Sequence, residues 1–170
     1  METKNKILNL IHSEPEKWKH IRKFSRMSKV SPNSVRTYLR ILEKNGLVEK
    51  KIEGNLLLFR AKLDRPEYKT EKRLYNLKAI YGSGIIDFLD KYYQHRAIVL
   101  FGSYSRGEDT SDSDIDIAIL TDDKKRPNLS KFEKKLNRKI ELSLFTEKEI
   151  SQEFYNNIIN GIVLKGFLKK

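Results

Sequence analysis

The sequence predicts a two-domain chain of mixed α/β (α+β) class. A small domain of helices closed by a β-hairpin is expected over residues 1–65, a helical connector over 66–83, and an α/β domain with a small mixed sheet over 84–170. Three observations carry this prediction. Apolar residues recur at helical spacing through residues 3–46, then give way to two short runs around the turn-like Glu53-Gly54-Asn55. Further on, residues 114–120 and 138–145 alternate apolar and polar, the period of a half-buried strand. The charge is also divided: residues 1–65 hold 16 Lys+Arg against 7 Asp+Glu, whereas residues 66–170 hold 19 against 16, within a formal net charge of +12.

In the first domain, residues 3–12 put Ile7, Leu8, Leu10 and Ile11 on one helical face. A second helix is expected over 16–28, with Trp18, Ile21, Phe24 and Met27 inward. The stretch SPNSVRTYLRILEKNG (31–46) carries its own punctuation: Ser31 as N-cap, Pro32 at the first helical position and Gly46 as the stop. Val35, Leu39 and Leu42 fall at i, i+4 and i+7 and face the core, leaving Asn33, Arg36, Thr37, Arg40 and Lys44 on the other side. LVEKKI (47–52) and LLLFRAK (56–62) read as the two strands of the hairpin. Three helices and a hairpin in this order resemble the winged helix-turn-helix family, with residues 30–61 as recognition helix plus wing. The resemblance implies that the third helix enters the DNA major groove while the wing follows the backbone. Carried over by position, Ser34, Arg36, Thr37 and Arg40 would face bases or phosphates, and Lys50 and Lys51 would sit on the wing. Tyr38 is open between core edge and DNA contact. Winged helices also serve as dimerisation or docking modules, and a lysine-rich surface can be a solvated face alone. The basic excess favours an acidic partner, DNA.

Asp64-Arg65-Pro66 breaks the wing strand. Residues 66–81 are helical, with Tyr75, Leu77, Ile80 and Tyr81 as apolar points; Gly82-Ser83-Gly84 interrupts, and IIDFLDKYY continues as another helix. RAIVLFG (96–102) is a buried strand ending in glycine, SYSRGED a short helix or turn, and DIDIAIL (114–120) a second strand. On that strand Asp114 and Asp116 share one face, and Ile115, Ile117 and Ile119 face the core. Two carboxylates about 7 Å apart on one face repel each other. With no Lys or Arg between them in sequence, a divalent cation is the economical partner. In RKIELSLF (138–145), Lys139, Glu141 and Ser143 oppose Ile140, Leu142 and Leu144, so pairing beside 114–120 would bring Glu141 to the two aspartates. Three carboxylates suit Mg²⁺ or Mn²⁺, an apparatus for in-line displacement at phosphorus. Gly102-Ser103 lies where a strand turns into a helix, and its backbone N–H groups and hydroxyl can cradle phosphate oxygens. Arg106 is open between contacting phosphate and pairing with Glu108 or Asp109.

Gly102-Ser103, ten residues, Asp114-Ile115-Asp116-Ile117, then a carboxylate on a later strand resemble the DNA polymerase β-like nucleotidyltransferase superfamily. GSYSRGEDTSDSDIDIAIL (102–120) and the ending NNIINGIVLKG (156–166) are similar to its small prokaryotic branch, the minimal nucleotidyltransferases. The resemblance implies metal-dependent transfer of a nucleoside monophosphate, AMP, from an NTP, ATP, to a hydroxyl or similar acceptor. It makes Asp114 and Asp116 metal ligands, gives Gly102 and Ser103 the β/γ phosphates, and puts Glu141 in the third-carboxylate place as general base. That place is usually aspartate, so Glu141 departs from the pattern by one methylene. Chains of this size in that branch are often antitoxins, so a small helical toxin protein is an implied partner, and winged-helix DNA binders imply a homodimer. Two other functions are weighed on the same residues: a DNA-binding regulator whose second domain only senses nucleotide or is inactive, and an RNA-modifying enzyme that grips RNA with its winged helix.

Other chemistries are excluded or reduced. There are no cysteines, so disulfides and thiolate metal sites are absent. No apolar run approaches the ~20 residues of a membrane span, and METKNKILNL has no signal-peptide core, so a cytoplasmic address with no membrane partner is expected. Asp112, Asp114 and Asp116 start an EF-hand-like D-x-D-x-D, but Ile117 stands where that loop needs glycine and Asp123 where it needs glutamate. Asp109 and Asp112 are expected to be solvated turn residues, Asp122 and Asp123 to cap a loop before a helix at 129–136, and Trp18 to be core. His12, His20 and His95 show no ligand spacing.

Overall fold

The computed structural model describes residues 2–94, 96–146 and 150–168, and the chain divides into two compact units, residues 1–72 and 73–170. His95 lies outside the described residues.

The first unit runs α1 (Glu2–Ser13), β1 (Lys19–His20), α2 (Ile21–Ser28), α3 (Pro32–Lys44), β2 (Val48–Glu53) and β3 (Leu56–Ala61), then the start of α4 (Pro66–Ser83). Its sheet has the order β1-β3-β2, antiparallel throughout. The helix α3 forms where its signals lie: the Ser31 side chain accepts from the Ser34 N–H at 3.2 Å, Pro32 opens the helix, and Val35, Leu39 and Leu42 are wholly buried. They join Ile7, Ile11, Phe24, Phe59 and Tyr68 in one core, with Leu10 half-buried at its edge.

The second helix corrects the expectation. It begins at Ile21 rather than 16, because Lys19 and His20 are drawn into the sheet opposite Phe59 and Leu58. The His20 imidazole then caps α2, accepting from the Lys23 N–H at 3.2 Å. Met27 is 42% exposed, since Phe24 and Ser28 take the inward positions. Trp18 is not a core residue of a helix. It is half-buried on the lead-in to β1, and its ring carries the Arg60 guanidinium at 4.6 Å and the Lys51 ammonium at 4.9 Å.

The second unit holds the rest of α4, then α5 (Ile85–Tyr92), β4 (Ile98–Phe101), α6 (Gly102–Arg106), β5 (Ile115–Leu120), α7 (Ser130–Leu136), β6 (Ile140–Phe145), α8 (Gln152–Ile159) and β7 (Ile162–Lys165). The helix α4 absorbs Gly82-Ser83 and stops only at Gly84, whose φ is +83°. Ile80 is buried, but Tyr81 is 57% exposed, against the expectation that both mark an apolar face. The sheet order is β6-β5-β4-β7; β5 and β6 are parallel, and β4 is antiparallel to both its neighbours. It is therefore the small mixed sheet expected.

Alternation along each strand sorts the side chains to two faces. Ile98, Leu100, Ile115, Ile117, Ile119, Ile140 and Leu142 enter the larger core with Ile85, Leu89 and Phe132. Val99, Ala118 and Phe145 lie on the opposite face under Ile158. Asp116 and Glu141 belong to this second face by the same alternation. Ahead of α7, the Asp123 side chain accepts from the Lys125 N–H, and Asn128 accepts from Ser130 at the helix start. No helix among the described residues is long and apolar enough to cross a membrane.

Candidate functional site

In the second unit the chemistry gathers where β4 ends and β5 begins. Phe101 closes β4 directly opposite Asp116, and Gly102 then turns with φ +71° into α6. A side chain at Gly102 has no room. A Cβ there would meet the Asp116 Cγ at 2.9 Å and collide with its carboxylate oxygen Oδ2. The glycine thus permits both the left-handed backbone and the close approach of Asp116 to the turn. Among the described residues no side chain caps the start of α6, where the N–H groups of Gly102 and Ser103 could meet an anion. Ser103 is half-buried on the same turn. Gly102→Ala is therefore expected to lower stability by about 1–3 kcal/mol and to displace Asp116. A thermal melt with and without nucleotide reads both effects.

The strand register supplies the third acid. Because β5 and β6 pair in parallel with Asp116 opposite Glu141, their Cα atoms are cross-strand neighbours on one face. Asp114 stands two residues upstream, exposed, just before β5. Burial pushes the Asp116 carboxyl above its usual range, the negative charges of Asp114 and Glu141 push it further, and Arg106 pulls it back. Arg106 itself is exposed and forms an ion pair with Glu108 at 2.8 Å. The three carboxylates are near enough to repel, yet among the described residues no three His, Cys, Asp or Glu side chains close into a metal-holding cluster. The donor set still fits a hard divalent cation. Its oxygens are carboxylates, Asp116 lies beside the negative charges of Asp114 and Glu141, and Gly102 lets the Asp116 carboxylate sit against the turn.

Asp109 overturns its reading as a solvated turn residue. It is 1% exposed and pairs with Arg138 at 3.2 Å, while the Asn76 amide donates to it at 2.6 Å. Asp112 is exposed, as expected. Neither Arg138 nor Asn76 stands out in the sequence. Arg138 precedes an alternating strand and Asn76 sits within a helix, so only the tertiary pairing reveals them.

In the first unit, Arg36, Thr37 and Arg40 are exposed on α3, and neither arginine forms an ion pair among the described residues. Ser34 is half-buried and accepts the Ser31 hydroxyl at 2.9 Å, and Thr37 donates to the Asn33 carbonyl. The wing lysines are engaged: Lys50 pairs with Glu43 at 2.8 Å, and Lys51 pairs with Glu53 at 3.0 Å while lying over Trp18. A groove of about 750 Å³ runs between the starts of α2 and α3 and the wing turn, lined by Arg22, Pro32, Arg36, Asn55, Leu56 and Leu57 among others. Tyr38 is half-buried against the core.

Comparison with known proteins agrees with both units. Residues 83–166 match the family described as Polymerase beta, Nucleotidyltransferase, and residues 5–115 match the family described as Penicillinase repressor. The two matches overlap at 83–115, which lies within the second unit. A putative protein adenylyltransferase of Methanocaldococcus jannaschii is 38% identical over 74 residues, covering 39% of this chain and 72% of that protein. No solved structure matches the chain. With Gly102-Ser103 ahead of Asp114 and Asp116, and a repressor-type domain before them, the chain belongs to the polymerase β nucleotidyltransferases and is a nucleotidyltransferase with an N-terminal penicillinase-repressor-like domain.

Proposed function

We propose that the second domain transfers AMP from ATP to a hydroxyl on a partner protein, while the first domain binds DNA. The observation that carries the reading is the register of Asp116 against Glu141, with the Asp116 carboxylate lying against the Gly102 turn. The N–H groups of Gly102 and Ser103 and the Ser103 hydroxyl hold the β and γ phosphates, and Arg106 adds positive charge at the edge of the turn. When bound by Asp114, Asp116 and Glu141, Mg²⁺ or Mn²⁺ would neutralise triphosphate charge. Glu141 accepts the proton of the acceptor hydroxyl as that oxygen bonds to the α-phosphorus and pyrophosphate departs. The adenylyl group and the protein acceptor follow the printed name of the relative; a small helical toxin protein is the class of acceptor to try first.

The test is thermal unfolding with each NTP, with and without Mg²⁺ or Mn²⁺, followed by transfer of label from α-labelled ATP. A ligand at 100 times its dissociation constant adds about 2.7 kcal/mol. A metal-dependent shift with ATP, lost in Asp114→Asn/Asp116→Asn, is expected. No shift with any NTP at millimolar concentration would sink the enzymatic reading. The absence of a closed three-acid cluster among the described residues favours a second reading, a DNA-binding regulator that senses nucleotide. It predicts the thermal shift without any transfer of label.

For DNA, Arg36 and Arg40 on α3 have no ion pair among the described residues, as is also true of Lys44 at its end, whereas Lys50 and Lys51 are partly engaged by glutamates. Arg36→Ala and Arg40→Ala should each weaken binding, and removing one arginine–phosphate interaction should flatten the log–log salt slope by about 1. Lys50→Ala should change it less. Equal slopes for all variants and parent would remove α3 from the interface. Two-fold symmetric sites would reveal binding as a homodimer.

A further inference from the structure

A buried network in the second unit links each part of the proposed nucleotide site. Arg138 stands between α7 and β6, launched by Asn137 in the left-handed region at φ +52°. Only 8% of its side chain is exposed. Its Nη1 donates to the carbonyl of Ser113 at 2.9 Å and to the carbonyl of Thr110, and its Nη2 donates to the Asp109 carboxylate at 3.2 Å. Asp109 in turn accepts from the Asn76 amide at 2.6 Å, and the same amide donates to the carbonyl of Tyr104 at 2.8 Å. The network therefore touches α6, which opens with Gly102 and Ser103. It touches the loop 109–113, which delivers Asp114. It also touches the lead-in to β6, three residues before Glu141.

We infer that Arg138, with Asp109 and Asn76, is a positioning residue for this site. Its guanidinium fixes the loop before Asp114 to the start of the strand that carries Glu141, and so sets the spacing of the carboxylates. This rests on the nucleotide site proposed above. A planar fork is needed because one group must satisfy two carbonyls and a carboxylate together, which an ammonium cannot do in the same geometry. The neighbouring backbone bond from the Ile115 N–H to the Lys139 carbonyl, 2.9 Å, continues the same seam. A buried guanidinium must satisfy donors beyond its ion pair, and here the acceptors are two carbonyls of the loop that leads to Asp114, which ties that loop to the start of β6.

The experiment compares the parent chain with Arg138→Gln and Arg138→Lys, each checked for folding by circular dichroism. Hydrogen exchange of amides 109–116 reads the clamp without any ligand. Electron paramagnetic resonance of free Mn²⁺, titrated with ATP present, reads the site. In Arg138→Gln the segment 109–116 should exchange faster while β4 and α5 keep their protection, and Mn·ATP affinity should fall by about 10-fold to 100-fold. Arg138→Lys should lie between the two, and it carries the test if Arg138→Gln does not fold. Unchanged exchange at 109–116 overturns the clamp, whatever nucleotide does. Faster exchange with Mn·ATP affinity equal to the parent's overturns positioning and leaves Arg138 a structural residue. If the parent itself binds no Mn·ATP, the proposed nucleotide function fails, and the clamp stands or falls on exchange alone.

Discussion

Asp116→Asn is expected to unfold at a higher temperature than the parent chain while losing nucleotide binding. The reason lies in the three causes that raise its carboxyl: burial first, then the charges of Asp114 and Glu141. A carboxyl whose folded-state pKa is raised holds its proton more tightly folded than unfolded. Its favourable contribution is complete below the unfolded value and is lost as pH rises through the folded one. At neutral pH the ionised Asp116 therefore works against folding, and an isosteric amide removes that repulsion. The same change removes the charge on which cation binding is proposed to depend, so nucleotidyl transfer should fall by at least about 100-fold. The check is a pair of melts at pH 7, with and without Mg·ATP, beside the rate of label transfer. A variant less stable than the parent would mean that Asp116 is held by a favourable partner rather than strained by its neighbours. Retained transfer would remove it from the site.

The first unit should be acid-labile because of His12. This side chain is buried on α1, with Nδ1 at 3.4 Å from the Tyr68 hydroxyl, and burial followed by the nearby Lys72 ammonium lowers its pKa to about 3. A histidine with a lowered folded pKa stabilises the fold fully above the unfolded value, near 6.5, and loses that contribution as pH falls toward the folded one. Stability should drop by about 1.4 kcal/mol per pH unit below 6.5, to a total of roughly 4 kcal/mol near pH 3. Between pH 6.5 and 5 ordinary carboxylates stay charged, so the slope there belongs to His12. Trp18, the single tryptophan of the chain, lies in this unit and reports its unfolding by fluorescence. Urea midpoints should fall across that window in the parent and stay level in His12→Leu. A level parent would mean that His12 accepts a proton in place.

The parts of this chain that could be read from the sequence are those written in local code. Ser31, Pro32 and Gly46 bracket α3, and the alternation of 114–120 and 138–145 gives both strands and the faces of their acids. The register of Asp116 with Glu141 follows from matching apolar faces, because a one-residue slip would bury the acids and expose the isoleucines. What stayed hidden depends on partners distant in sequence. The short β1 exists because Phe59 and Leu58 pair with Lys19 and His20, a bond no helical periodicity in 16–28 can announce. Asp109 looks solvated in GED until Arg138 and Asn76, 29 and 33 residues away, close on it.

The parallel pairing of β5 with β6 also divides the chain into lengths that can vary and lengths that cannot. Between Leu120 and Ile140 the polypeptide must only return to the same end of the sheet, through α7. Residues can be gained or lost in the loop at 122–128 at modest entropic cost. Between Arg138 and Glu141 a single inserted residue would turn Glu141 toward the core and Leu142 outward. The length of the crossover loop is thus free to vary, while the three residues after α7 act as a ruler that the carboxylate register must keep.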